Sequence, residues 1–304
     1  MEDLINSNLL SCFLAVMKHR RLTVAADELC ITQPALSKSI QRLEEKLEVQ
    51  LFDRRQDGMA PTKYALTLAR HAYVIRAESD AARAELGILR GGGSGTLAIG
   101  IAPLWTVYGL PTAVARLVKQ RAQLQVRIVS GVLSTLIPPL LKGDLDVVCT
   151  ALDFPAQAEI VRKPILTSDH ILLAHRRHPL AQLKSVSLAQ LAEHRFVGLV
   201  GDYHGMERMQ RFFALRGHQP PVVRAEATSI EMILSLLATG EFVASLARQW
   251  LKRGEPLGLV KIPIRGTFWK FETGIVHRVN PRDPALIEQF ERALRAENEG
   301  VEHP

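Results

Sequence analysis

Leu22–Leu47 reads LTVAADELCITQPALSKSIQRLEEKL, and it carries two separate helix-start signals within eleven residues. Thr23 is a side chain suited to cap a short helix containing Val24, Ala25, Ala26 and Leu29. Ala25 and Ala26 are small enough for another helix to cross closely. Cys30-Ile31 interrupts the pattern, Thr32 supplies a second cap, and Pro34 falls inside the new first turn, where its missing N–H costs little. From there Leu36, Ile40, Leu43 and Leu47 recur at steps of 4, 3 and 4, which is one helical face. The opposite face carries Gln33, Ser37, Lys38, Gln41 and Arg42, side chains able to read base edges and grip phosphates. An ordinary amphipathic helix with a solvated face would show the same stripe. The paired caps, the short turn and the Ala-Ala dipeptide favour a helix-turn-helix whose second helix lies in a DNA groove.

The surrounding segments fit that reading. Residues 4 to 19 predict a buttressing helix through Leu9, Leu10, Phe13, Leu14, Val16 and Met17. After Leu47 come Leu51 and Phe52, then the turn signal Asp57-Gly58, then Thr62 as the start of another helix. This predicts a hairpin wing, with Arg54 and Arg55 meeting the DNA backbone or minor groove. In the helix over 63–90, Leu68, Ala72, Ile75, Ser79, Ala82, Leu86 and Leu89 step by 4, 3, 4, 3, 4 and 3, the spacing of a two-helix seam. Such a helix predicts a dimer presenting two reading helices. An Ala-rich helix packed on its own chain is the alternative.

The segment AADEL-CI-TQPALSKSIQRLEEKLEVQLFDRR resembles the N-terminus of LysR-type transcriptional regulators. The matching residues are Ala25, Ala26, Leu29, Thr32, Gln33, Pro34, Ala35, Ser37, Ile40, Leu43, Glu44, Leu51, Phe52 and Arg54. The resemblance implies DNA contacts at Thr23, Thr32, Gln33, Pro34, Ala35, Ser37, Lys38 and Arg42, with Arg54 and Arg55 on the wing. The turn His19-Arg20-Arg21 departs from the family's usual Gly-Ser, and its arginines are candidates for phosphate contact or a plain solvated turn. Ala65 stands where Gly is usual.

At 304 residues the chain exceeds the roughly 250 at which one core stops growing, so it divides. The glycine run Gly91–Gly95 marks the boundary. We expect a DNA-binding domain at 1–62, a linker and dimerisation helix at 63–90, and an effector domain at 91–304. Gly93–Ala98 matches GxGxxA, but the order helix, glycines, strand is the reverse of a dinucleotide fingerprint. Beyond Thr96, strands at 97–101, 126–129, 145–148, 171–174, 196–200, 222–225, 242–246, 259–262 and 271–276 alternate with helices at 110–120, 133–142, 188–192, 206–215, 229–238 and 284–298. The fold class is thus multidomain α/β with an N-terminal winged helix-turn-helix.

Gly95-x-Leu97-x-Ile99-Gly100, Leu110-Pro111, Gly143-Asp144-Leu145-Asp146 and His178-Pro179-Leu180 extend the family resemblance, which implies a two-lobed domain of periplasmic-binding-protein type. Lobe 1 would comprise about 95–164 and 268–304, and lobe 2 about 165–267. Ligands of open α/β sheets sit beyond the carboxyl ends of the strands. This places a cleft at Ala102, Pro103, Leu104, Ser130 and Gly131 on one lobe, and at Gly201, Asp202, Thr228 and Ser245 on the other. Nearby helix N-termini favour an anionic ligand. Ala102-Pro103 replaces a hydroxyl frequent in the family, and Ala122 replaces a usual Pro.

The 38 basic and 31 acidic residues, pI near 9.5, suit a nucleic-acid partner without requiring one. Cys12, Cys30 and Cys149 form no CxxC, which argues against a disulfide framework and fits a reducing cytoplasm. No signal peptide is expected, nor a stretch near the roughly 18 apolar residues of a membrane span. His175 and His178 sit three apart in an arginine-rich loop, a poor metal site, and no cofactor is expected. No GxSxG, HExxH or supported carboxylate pair gives an enzyme reading any footing. The expected partners are double-stranded promoter DNA, a small-molecule effector and further copies of the chain as a dimer or tetramer, with RNA polymerase open as another. The rival reading is a solute-binding or enzymatic α/β protein with an incidental helical N-terminus.

Overall fold

Helices α1 (Ser7–His19), α2 (Leu22–Glu28) and α3 (Gln33–Leu47) pack around Phe13, Val16, Ala25, Leu36 and Leu43, all fully buried. The computed structural model describes residues 7–55, 58–89, 95–264 and 268–299. The expected helix residues 4–6, turn residue 57, glycines 91–94 and lobe junction near 267 lie outside them. The chain forms two compact units, Met1–Asp80 and Ala81–Pro304.

Two details of the first unit differ from expectation. Thr23 does not cap α2: the helix starts one residue earlier, at Leu22, and its cap is Arg21, with no side-chain hydrogen bond. Backbone geometry rather than a hydroxyl sets the start, because Arg20 turns the chain in the left-handed region at φ 58°. The carbonyl of Arg20 accepts from Met59 N at 2.7 Å. Glycine adopts such a left-handed turn without strain.

At α3, Thr32 Oγ1 accepts from Ala35 N at 3.4 Å, with Pro34 in the first turn. Glu44 Oε1 accepts from Leu51 N and Phe52 N, fixing the chain as it leaves the helix. Strands β1 (Phe52–Arg55) and β2 (Gly58–Pro61) form the antiparallel wing.

Helix α4 (Lys63–Leu89) opens at Thr62, whose hydroxyl accepts from Ala65 N. Its 4-3 stripe is divided. Ala72 is fully buried and Leu68 half-buried in the first unit's own core, whereas Ile75, Ser79, Ala82 and Leu86 are exposed. The first turns of the expected seam therefore stabilise their own domain. The side chain of Leu89 lies outside the description.

The second unit is built on nine strands: β3 (Thr96–Ile101), β4 (Gln125–Ser130), β5 (Val147–Ala151), β6 (Ile160–His175), β7 (Phe196–Leu199), β8 (Val223–Ala227), β9 (Val243–Ala247), β10 (Leu259–Lys261) and β11 (Trp269–Arg278). Helices α5 (Leu110–Gln120), α6 (Leu133–Lys142), α7 (Leu188–Ala192), α8 (Tyr203–Ala214), α9 (Ile230–Ala238), α10 (Trp250–Gly254) and α11 (Pro284–Asn298) connect them. The order is β4-β3-β5-β11-β6-β9-β7-β8, with β10 beside β6. Pairing is parallel within β4-β3-β5 and β9-β7-β8, and antiparallel through the central β5-β11-β6-β9.

Strand β6 is far longer than the expected 171–174. Its first ten residues, IVRKPILTSD, contain Pro164 and five charged or hydroxylated side chains, which read as loop. Up to Asp169 its only ladder is with β11; β9 joins at His170 and β10 at Leu173, and Pro is tolerated where a strand lacks a second neighbour. The register of β6 against β11 slips between Thr273 and Gly274, leaving Ile165 as a bulge residue. Strand β5 begins two residues later than expected because Asp146 is spent on the strand entry. Its carboxylate accepts from Ala98 N while its own N–H reaches Ala98 O. The expected helix at 206–215 starts at Tyr203, capped by Asp202. Helix α10 and the 3-10 turn Glu255–Leu257 are additional to the expected elements.

Candidate functional site

Helix α3 buries Leu36, Ile40 and Leu43 and leaves Gln33, Pro34, Ala35, Lys38, Gln41 and Arg42 exposed, with Ser37 half-buried. Thr32 is exposed at the helix start, and Thr23 is exposed on α2. Arg54 and Arg55 are exposed on β1, and the Arg54 guanidinium donates to Ser37 Oγ at 3.2 Å. The wing arginine and helix α3 are thus linked across seventeen residues of sequence. Arg20 and Arg21 are exposed at the turn preceding α2. The exposed basic, amide and hydroxyl side chains expected to face DNA therefore lie together in the first unit, on α2, α3 and β1.

In the second unit a cavity of about 150 Å³ opens where the central strands end. Five expected residues line it: Ala102, Pro103, Leu104, Asp202 and Ser245. Four do not. Ser130 ends the outermost strand β4 and is exposed, and Thr228 follows the opposite outer strand β8 and is exposed, so both lie too far from the central strands. Gly131 is packed on α6, where a Cβ would meet Thr135 Oγ1 at 2.5 Å. Gly201 stands at the rim, its carbonyl accepting from Ser134 Oγ at 2.9 Å.

The cavity's distinctive groups come instead from β6, β11 and α8. Trp269 and His170 are cross-strand partners, stacked with centroids 4.9 Å apart and planes at 27°. Phe271 meets the His170 ring edge-on at 5.2 Å. Trp269, Phe271 and Thr273 share one strand face because side chains alternate with period two. Thr273 is held by Trp105 Nε1 and itself donates to Thr150 O.

His170 Nδ1 lies 2.9 Å from Ser245 Oγ. Burial, reinforced by the nearby Arg208 guanidinium and only partly opposed by Asp169, pushes its pKa down to about 3, so the imidazole is neutral. Arg208, on the second turn of α8, lies over Phe271 at 5.6 Å and pairs with Asp153, which follows β5. Arg248 fixes Asp169 beside the site through a bidentate ion pair.

The remaining candidate chemistry is structural. His175 Nδ1 accepts from Arg177 N, and His178 Nδ1 accepts from Leu180 N while its ring packs on His194. Asp146 is buried beside Arg278. Among the described residues no group of three or more His, Cys, Asp or Glu could hold a metal ion, and no helix is long and apolar enough to cross a membrane.

Residues 7–66 match the bacterial regulatory helix-turn-helix of the lysR family, and residues 90–299 match the LysR substrate binding domain. The chain is 26% identical over 299 residues to the DNA-binding transcriptional dual regulator OxyR of Escherichia coli, covering 96% of this chain and 95% of that protein. It is 24% identical over 288 residues to the regulator CbbR of Rhizobium meliloti, covering 93% and 90%. The fold is similar to a full-length, singly substituted OxyR from Pseudomonas aeruginosa, with a TM-score of 0.67 at 20% identity over 96% of this chain and 95% of that one. It is also similar to full-length CbnR in complex with its target DNA, with a TM-score of 0.61 at 19% identity over 96% and 100%. The N-terminal match sets aside the reading of these helices as incidental. With family signatures over residues 7–66 and 90–299, the chain belongs to the LysR-type regulators, DNA-binding transcription factors with a C-terminal effector-binding domain.

Proposed function

We propose that this regulator reads a partly palindromic promoter site as a dimer within a tetramer, and that a small anionic effector bound between two lobes sets the shape of that assembly. The division of labour is the one given above: residues 1–62 bind DNA, 63–90 dimerise, and 91–304 bind effector. Lobe 1 is taken as about 95–164 and 268–304, and lobe 2 as about 165–267. The exposed stripe of Ile75 and Leu86 on α4 supports self-association, because large apolar side chains on a lone helix gain by burial. Dimerisation doubles a single-module grip of about 10⁻⁴–10⁻⁶ M into a selective one. The chain acts in the cytoplasm, catalyses nothing, and as an activator would touch RNA polymerase.

The observation that carries the DNA reading is the Arg54–Ser37 link, which puts a backbone-gripping cation beside Gln33 and Lys38 on the solvent face of α3. Thr32, Gln33, Ala35, Ser37, Lys38 and Arg42 read or grip the major groove, and Arg54 or Arg55 grips beyond it. Recovering and sequencing DNA bound by the chain tests this. Enrichment of a two-fold site is expected, and no enrichment over bulk DNA rules the reading out.

A peroxide response seated in residues 90–299 does not carry over from the relatives described as hydrogen peroxide-inducible genes activators; the exposed Cys30 lies between α2 and α3. Peroxide chemistry runs through accessible thiolates. Cys149 is the one cysteine between residues 90 and 299; it is buried, and burial pushes its thiol pKa far up.

A further inference from the structure

The cavity's recognition chemistry is lopsided. On the side of β3, Ala102-Pro103-Leu104 offers no donor side chain, and Pro103 has no N–H. Among the lining residues Arg208 carries the only permanent positive charge, and Asp202, the α8 cap, the only carboxylate. Beside Arg208, which lies over the Phe271 ring at 5.6 Å, stands the Trp269–His170 stack, with Phe268 also stacked on Trp269 at 4.2 Å. A cavity of about 150 Å³ holds one benzene-sized ring.

We propose that this cavity takes a single-ring aromatic monocarboxylate, its ring against Trp269 and Phe271 and its carboxylate replacing Asp153 on Arg208. The inference rests on the effector reading given above and specifies its chemistry. A guanidinium presents two parallel donors that match a carboxylate, and a buried anion is tolerated only when so paired. His170 adds a hydrogen-bonding, uncharged ring rather than a second cation, since its imidazole is neutral and tied to Ser245. A second carboxylate on the ligand finds no second permanent cation among the lining residues and adds to the negative charge of Asp202.

The same exchange supplies the regulation. Asp153 lies beyond β5 and Arg208 on α8, so their ion pair ties together the two sides of the cleft. The incoming carboxylate ends that tie and substitutes its own contacts.

Titration calorimetry on the full-length chain tests this with benzoate, its amide benzamide, cyclohexanecarboxylate and phthalate. Benzoate is expected to bind about 3- to 10-fold tighter than cyclohexanecarboxylate, the range of a ring–ring contact. Phthalate should bind more weakly than benzoate. Arg208→Lys keeps the charge but loses the fork, and should weaken benzoate about 10-fold while leaving benzamide unchanged. Asp153→Asn removes the internal competitor and should tighten benzoate severalfold. Circular dichroism verifies that both variants are folded, and Asp153→Asn alone keeps the test open if Arg208→Lys is not. Equal binding of cyclohexanecarboxylate, or benzoate binding unaffected by Asp153→Asn and Arg208→Lys, overturns the proposal. If benzoate fails but a different ligand class binds in an Arg208-dependent way, the class is wrong and the effector reading stands. If no compound of a broad library binds and plugging the cavity with Ala102→Trp leaves promoter regulation unchanged, the effector reading itself falls.

Discussion

Gly274→Ala is the substitution through which the central ribbon of the second unit is most directly tested. A Cβ at Gly274 would stand 2.1 Å from Lys163 O, 2.9 Å from Ile165 N and 2.9 Å from the Cα of Pro164. All three are backbone atoms of β6, so no rotamer change relieves the overlap. Carbon and oxygen in contact need about 3.3 Å, so β6 and β11 must part by roughly 1 Å at the bulge. Two to four ladder hydrogen bonds flank that point, each worth about 1 kcal/mol net, and Ile275 and Val276 next to it are fully buried. The expected loss is about 2–4 kcal/mol from the second unit. Calorimetry should show the transition of residues 95–299 falling by several degrees while that of the N-terminal unit stays put. Gly240→Ala is the control: its φ is +89° and its Cβ would meet nothing within 4 Å, so it costs only backbone strain, about 1 kcal/mol. If Gly274→Ala unfolds no earlier than Gly240→Ala, close approach is not what requires the glycine.

Other outcomes follow from the same geometry. Lys38→Ala should flatten the salt dependence of promoter binding by about 1.8 in log–log slope, one phosphate lost from each half of a dimer; an unchanged slope in anisotropy titrations removes Lys38 from the backbone contacts. Gln33→Ala should leave that slope intact and instead reduce discrimination between matched and mismatched sites by about 1–3 kcal/mol per affected base pair. Arg20→Gly relieves a left-handed non-glycine residue and should stabilise the first unit by up to about 1 kcal/mol, or leave its melting unchanged if Gly's unfolded-state entropy offsets the gain. For His170, the folded pKa lies below the unfolded value, so the unfolded chain binds the extra proton and stability falls as pH drops below 6.5. His170→Phe should remove about 2 kcal/mol of that loss at pH 5, read from denaturant melts at pH 7 and pH 5.

The first unit was legible because its signals are local. Thr32, Pro34 and the 4-3-4 stripe each act within one or two turns, and the structure reproduces them. Thr23 misled because a hydroxyl near a helix start is only one way to begin a helix; here the left-handed Arg20 sets the turn, and φ is not written in a residue whose usual φ is negative. In the second unit, α5, α6, α7 and α11 matched to the residue, since Pro111, Gly143, Ser187 and Pro284 mark their ends. The cavity was half legible. Strand ends gave Ala102, Asp202 and Ser245, but His170 lay in a segment whose Pro and charges hid a strand. The alternation Trp269-x-Phe271-x-Thr273 was the available signal, a period of two with an aromatic face. Arg208 could not be found this way, because its partner Asp153 is fifty-five residues distant and no local pattern joins them.

The bond from Arg54 to Ser37 has a consequence for the order of events at DNA. On the proposed reading, the free protein keeps one of its sequence-reading hydroxyls engaged by one of its phosphate-seeking cations. The cation must leave for the backbone before the hydroxyl is available to a base edge. Scanning along non-target DNA and committing to a target would then be successive stages of one encounter, with the wing acting as the latch between them.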